Sequence, residues 1–394
     1  MTGVVIGAGR DAIHTIEKAK EQGIYVVALD GNPEAAGMAH ADRAVTVDIS
    51  KQEKVDEVIE QVRPDFVIPV PIGRYLLTTG YVNERYRLKG AGYQATELSV
   101  DKYLFHKRLQ EKKLRPIEFF LINQDTDKQQ VSISYPAILK PRFGSGSRDV
   151  FCITCEQELQ EACEFAINSG EDFVLEQMVQ GTEYGLDGAV MNGKLQITLL
   201  RQKVITPLPA RQAVASISMA DTAEHEELYQ RVYRHMQEVI EVLGYNDCLV
   251  NADIILSGEQ VFVIEIAPRP SGHYLHDVFV PQTTGVDLAE EYIRFLSGKE
   301  YGFVPKEIKC MRIQFFKFEN VSITKVPQEA ALRASEDCRL VRWECNIKEG
   351  DCMEPVVNGH SIMGRGFFIV QGENEQDLEA QCDWVLRQFG VEAL

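Results

Sequence analysis

The chain has 394 residues, 45% of them hydrophobic and 25% charged, an ordinary globular balance with room for two or three domains at roughly 150 residues each. Its formal net charge of −18 and pI of about 5.0 exclude the basic face of a nucleic-acid binder, but not a small anion held by a few local Lys and Arg residues. No apolar run nears the ~20 residues that span a bilayer, so no membrane is expected either.

The start, Met1-Thr2-Gly3-Val4-Val5-Ile6, runs straight into a strand and shows no signal peptide. The nine cysteines are scattered. Cys152 and Cys155 form a C-x-x-C with no second pair at zinc-finger spacing, so they read as structural thiols. Free thiols fit a reducing compartment, and the expected location is the cytoplasm.

Along the chain, Val4-Val5-Ile6 reads as a buried strand, 11–22 as a helix and 25–29 as a second strand. Residues 51–62 read as a helix and 65–70 as a third strand. This β-α-β-α-β order predicts an α/β fold with a parallel sheet. Gly7-Ala8-Gly9-Arg10-Asp11-Ala12 fits the dinucleotide fingerprint, with Asp30 ending the next strand. The same glycines also serve any tight strand-to-helix turn, and Asp11 puts a carboxylate where a pyrophosphate would sit. The segment alone leaves an NAD-dependent oxidoreductase open.

From about residue 100 the texture becomes α+β. A charged helix is expected over 101–113, with Ser99 as its N-cap. Short strands follow at 137–139, 151–153, 173–175, 185–190 and 195–198, the last two joined by the hairpin signal Asn192-Gly193. Lys140 ends the apolar strand of Tyr135-Pro136-Ala137-Ile138-Leu139-Lys140-Pro141. A buried ammonium needs an anion, and the loop Phe143-Gly144-Ser145-Gly146-Ser147-Arg148 follows directly. Strand lysine and loop together read as a polyphosphate grip. In Glu176-Gln177-Met178-Val179 a connector could meet adenine through its backbone, with Glu183 beyond it for ribose.

After a helix over 224–243, residues 251–266 read as a hairpin around Gly258. A three-residue loop from Gly258 to Gln260 would place Asp253 opposite Glu265. Two facing carboxylates repel unless a cation lies between them, and Mg²⁺ takes one or two carboxylates plus phosphate oxygens. Glu265-Ile266-Ala267-Pro268-Arg269-Pro270-Ser271-Gly272-His273 leaves the hairpin. Arg269 between two prolines suits a carboxylate or a transferring phosphoryl group.

In this order, these pieces resemble the ATP-grasp superfamily over roughly residues 1–300. The resemblance implies an α/β protein of three parts. A Rossmann-like pre-ATP-grasp domain would span 1–98, and an α+β ATP-grasp domain of two subdomains 99–298, its mobile subdomain at about 130–190. A small C-terminal α+β domain would span 299–394. Gly364-Arg365-Gly366-Phe367-Phe368-Ile369-Val370 is similar to the C-terminal part of L-amino acid ligases and biotin-carboxylase-like members; carbamoyl-phosphate-synthase-like proteins share the general plan.

The resemblance further implies that Lys102 and Lys140 bind the ATP phosphates under a loop of Gly144, Ser145, Gly146 and Ser147. Gln177, Met178 and Val179 would meet adenine, with Glu176 on the adenine side, and Glu183 would bind ribose. Asp253 and Glu265 would hold Mg²⁺ or Mn²⁺. Arg269 and Lys140 would be catalytic, with Ser271, Gly272 and His273 beside the substrate. Many members carry Asn where Ala267 stands, and several carry Glu where Asp253 stands.

The implied activity joins a small carboxylate, such as an amino acid, to an amine through an acyl phosphate, releasing ADP and phosphate. The implied assembly is a homodimer. The tail Ala267-Pro268-Arg269-Pro270 is also similar to purine-pathway members, which keeps a purine-biosynthesis enzyme as the alternative.

Overall fold

The computed structural model describes residues 1–144, 149–207, 211–220, 223–356 and 359–394. A four-stranded parallel sheet opens the chain, in the order Arg43–Thr46, Tyr25–Asp30, Thr2–Ile6, Phe66–Val67. Its central strands are Val- and Ile-rich because helices cover both faces, and Val4, Val5, Val27 and Leu29 are buried. The expected helices form at Ile13–Glu21 and Gln52–Val62. The strand expected over 65–70 pairs only at Phe66–Val67.

The charged helix runs Lys102–Glu111, and its N-cap is Asp101, not Ser99. The Asp101 carboxylate accepts from the N–H groups of Tyr103 and Leu104. Ser99 lies in the preceding helix, Tyr93–Val100, where its hydroxyl donates to the Thr96 carbonyl at 2.8 Å. Two helices abut here, and the single extended residue between them takes the cap.

A smaller lobe follows. Its antiparallel sheet is ordered Phe119–Ile122, Phe173–Gln177, Ala137–Pro141, Phe151–Ile153. The helix Glu156–Ser169 packs on it around Ile122, Leu139, Leu159 and Leu175.

The largest element is an eight-stranded antiparallel sheet. Its order is Gln260–Ala267, Cys248–Ser257, Thr182–Met191, Lys194–Ile205, Ala213–Ser218, Met311–Phe315, Gly366–Gln371, Leu340–Cys345. The helix Ala223–Leu243 shares a core with it through Leu186, Met236, Ile240 and Val250. Val5, Ile16, Leu199, Tyr292, Phe315 and Ile369 share another, which ties the first sheet to both the middle and the C-terminal strands. Val321–Lys325, Cys352–Met353 and Gly390–Ala393 make a small third layer.

Two hairpins set the register of the site. Met191 pairs Lys194 across Asn192-Gly193, both at positive φ, as the twist of a two-residue turn requires. In the hairpin around Gly258, Ser257 pairs Gln260, so the turn has two residues and not three. A straight ladder would then set Ile264 opposite Asp253. The register shifts instead after the Ile254–Val263 pair, and Asp253 faces Glu265 after all. The extra residue is a β-bulge at Ile264, a device that re-aims a side chain without changing the turn.

Candidate active site

A cleft of about 520 Å³ lies between the smaller lobe, the large sheet and the first domain, within the usual size of ligand pockets. Seven Lys and Arg residues and five Asp and Glu residues line it, counted among the described residues. The cleft is thus a net cationic hollow in an acidic chain.

Lys140 and Glu176 meet on paired strands of the smaller lobe. Lys140 Nζ donates to Glu176 Oε1 at 2.6 Å, and both residues are buried. The other carboxylate oxygen lies 2.6 Å from His106 Nε2 and 3.2 Å from Arg115 Nη2. Arg115 also donates from Nε to His106 Nδ1 at 2.9 Å and from Nη1 to the Val263 carbonyl. Burial alone would raise the Glu176 carboxyl; Lys140, His106 and Arg115 outweigh it and hold it well below the carboxylate range. Burial lowers His106 to about 4, so at neutral pH the ring is uncharged, accepting at Nδ1 and donating from Nε2. Two cations then share one anion, and the surplus charge opens onto the cleft. The structure thus turns Glu176 to Lys140 as its counter-ion.

Lys102 Nζ donates to the Gly144 carbonyl at 2.7 Å, and burial lowers its pKa. Lys102, Lys140 and Gly144 line one cleft. Ser145, Gly146 and Ser147 lie outside the described residues. Of the adenine connector, Val179 lines the cleft, whereas the N–H groups of Gln177 and Met178 are given to the Glu118 and Pro136 carbonyls. Glu183 faces the cleft from the next strand and pairs with Arg211.

Asp253, Glu265 and Asn251 line the cleft floor together. Lys203 Nζ lies 2.8 Å from Asp253 and 3.7 Å from Glu183. Burial would raise the Asp253 carboxyl, but Lys203 and Arg201 override it and lower it. No group of three His, Cys, Asp or Glu gathers into a metal cage among the described residues. Two facing carboxylates beside an amide oxygen are a hard-oxygen donor set, which fits Mg²⁺ or Mn²⁺ shared with phosphate oxygens.

Arg201 is buried, with Nε on Asp187 at 2.9 Å and Nη1 on Ser216 at 3.2 Å. Gly185 makes room for it, since a Cβ there would stand 2.3 Å from the guanidinium carbon.

Arg269, Ser271, Gly272 and His273 line the end of the cleft towards the first domain. Arg269 Nη1 donates to the carbonyl of the next residue, Pro270, at 2.8 Å, while Nε has no partner among the described residues; burial lowers its pKa. Ser271 is buried, and its hydroxyl is unpartnered. His273 and Tyr274 both have positive φ, and a π turn follows at Leu275–Phe279. Residues in sparsely populated backbone regions cluster at active sites and ligand clamps, and π turns are frequent there too.

Asp30 settles the glycine turn of the first domain. Its carboxylate accepts from the Ala8 N–H at 2.7 Å and the Asn32 N–H at 2.8 Å. It secures the turn itself and is not presented to a ribose.

Residues 99–273 match the family model described as an ATP-grasp domain. This stretch is an ATP-grasp domain, and the chain is similar to carboxylate–amine ligases that carry one. It is 24% identical over 382 residues to a formate-dependent phosphoribosylglycinamide formyltransferase of Proteus mirabilis, covering 92% of this chain and 88% of that one. It is 24% identical over 312 residues to an N5-carboxyaminoimidazole ribonucleotide synthase of Staphylococcus haemolyticus, covering 73% and 78%. In three dimensions it is similar to the L-amino acid ligase of Bacillus licheniformis, with a TM-score of 0.80 at 17% identity, covering 100% and 98%.

The structure adds three charged residues to the lining of this cleft, Arg115, Arg201 and Lys203, and the neutral His106 behind it, all of which sequence reasoning passed over. Arg201 and Lys203 had a signal: two bases at period 2 on a strand whose hairpin to Gly185 and Glu183 was legible. Arg115 and His106 had none, since their shared carboxylate lies 61 residues beyond Arg115.

Proposed function

We propose that the protein joins a small carboxylate to an amine at the cost of ATP, with an amino acid as the substrate class. The observation that carries this reading is the facing pair Asp253 and Glu265, in the same cleft as Lys102 and Lys140.

Lys140, Lys102 and the Gly144 loop would hold the triphosphate, Val179 would adjoin the base, and Glu183 would lie on the ribose side. Asp253 and Glu265, with the Asn251 amide beside them, would hold Mg²⁺, which when bound neutralises phosphate charge. A substrate carboxylate oxygen attacks the γ-phosphorus, the bond to the β-phosphate oxygen breaks and ADP departs. The amine then attacks the acyl carbon, a C–N bond forms, phosphate leaves and the amine loses a proton. No protein nucleophile enters. The chain contributes position and charge: Lys140 on the phosphates, Arg269 and Arg201 on the acyl phosphate.

Purine biosynthesis is the second reading, favoured by the phosphoribosyl enzymes among the sequence relatives.

The decisive assay is ADP and phosphate release from ATP and Mg²⁺ with pooled amino acids, then with purine-pathway intermediates. Turnover with the amino-acid pool is expected, and none above background in Lys140→Ala. AMP and pyrophosphate as products, or full activity in Lys140→Ala, would overturn the assignment; turnover confined to the second pool would move it to the purine reading.

A further inference from the structure

We propose that Asp11 is the ammonium receptor of this cleft, and that the ligand it selects is an α-amino acid with an apolar side chain. The inference rests on the ligase reading above and narrows its substrate.

Asp11 sits in the single turn Arg10–Ala12 that leaves the first strand, and it lines the cleft. Its Oδ2 lies against Gly272 on the loop after Glu265, where an added Cβ would stand 2.9 Å away. Two distant segments therefore converge, and the absence of a side chain at 272 leaves the carboxylate its place. Among the described residues, no hydrogen bond or ion pair engages Asp11. The other acid of this turn, Asp30, is occupied by backbone N–H groups. A partly sheltered carboxylate without a partner favours a cationic ligand.

Ser271 is an independent sign of a ligand at the same place. It is 2% exposed, lines the cleft, and its Oγ has no partner. Arg269, with its free Nε, stands in the field of Glu265 and Asp253 on one side and Asp11 on the other. One anionic group and one cationic receptor across a short span match the two charges of a zwitterion. The ligand's carboxylate meets the guanidinium of Arg269, and its ammonium meets Asp11 and Ser271.

Apolar side chains are available to the ligand in this cleft: Pro71, which lies beside Gly272, and Ile72, Leu275, Phe315 and Met363 in the same lining. Arg10, the cation beside Asp11, is drawn away to Glu344 at 2.8 Å and over the Tyr274 ring at 4.5 Å. A phosphate group here would meet a carboxylate and a greasy wall, with no free cation of the turn to hold it.

The test is calorimetric titration of the protein loaded with Mg²⁺ and ADP, using leucine, methionine, their N-acetyl derivatives and ribose 5-phosphate. The wild type should bind the free amino acids about 10- to 100-fold more tightly than the acetylated forms, the difference expected for one charge-assisted contact. Asp11→Asn should lose that discrimination while binding ADP as the wild type does. Gly272→Ala, which crowds Asp11, should lose part of it. Equal binding by Asp11→Asn and the wild type, or no preference for the free ammonium, overturns the proposal; amino-acid-dependent phosphate release from ATP, assayed separately on the same preparations, would then leave the ligase reading standing. Binding of ribose 5-phosphate in place of any amino acid overturns both the proposal and the amino-acid reading, and retained ADP binding would still locate the nucleotide.

Discussion

Glu176 has one carboxylate for three donors, and His106 is the member whose state depends on pH. The ring is held near pKa 4 by burial, below its ordinary value of about 6.5. Between those values the unfolded chain takes up a proton that the native chain refuses. The stabilisation is therefore complete above pH 6.5 and drains away as the pH falls towards 4. We expect the unfolding free energy to drop by on the order of 3 kcal/mol across that window. Urea denaturation from pH 7.5 to pH 4.5 would read it. His106→Gln keeps one donor and one acceptor but cannot titrate, so it should flatten that limb. An unchanged slope in the variant would remove His106 as the cause.

At the scale of the element, the bulge at Ile264 decides which residue faces Asp253. Exchanging the pair (Ile264→Glu with Glu265→Ile) would complete the acid pair if the two-residue hairpin ran straight. With the bulge it moves the carboxylate to the other side of the strand. We expect Mg²⁺-dependent ADP affinity to fall at least about tenfold, the kind of loss that follows from disturbing a metal ligand set. Titration with and without Mg²⁺ would show it, and tighter binding would contradict the observed register. The same hairpin shows what was legible in advance. Period-2 alternation and Gly258 announced two strands and a facing pair. They could not announce the loop length or the bulge, whose effects cancel at Asp253. Asn192-Gly193, whose turn geometry is local, was readable outright. Ser99 misled because Ser is a common cap, and the adjoining helix that occupies it leaves no mark in the capping pattern.

At the scale of the whole molecule, the parallel order of the first sheet and the α+β texture of the middle followed from patterning. The junction of the C-terminal strands with the large sheet did not, because Ala215 and Gln314 pair across 99 residues and no local signal encodes such a partner. That junction carries a prediction. A chain ended after residue 298 would bare the edge of the strand Ala213–Ser218, next to the cleft, and exposed edges recruit other chains. Such a fragment should elute as oligomers or precipitate in size-exclusion runs. A monomeric fragment that still binds ADP would show that the edge is harmless.

The order of the strands also sets a timetable for synthesis. Met311–Phe315 emerges early, but its outer partner Gly366–Gln371 comes about fifty residues later, and Leu340–Cys345 can dock only on that late strand. At about 5–20 residues per second, a nascent chain carries this open outer edge beside its cleft for several seconds. Through that interval the ribosome-bound protein depends on whatever shields an open edge in the cell, and pausing between residues 315 and 366 would lengthen the exposure.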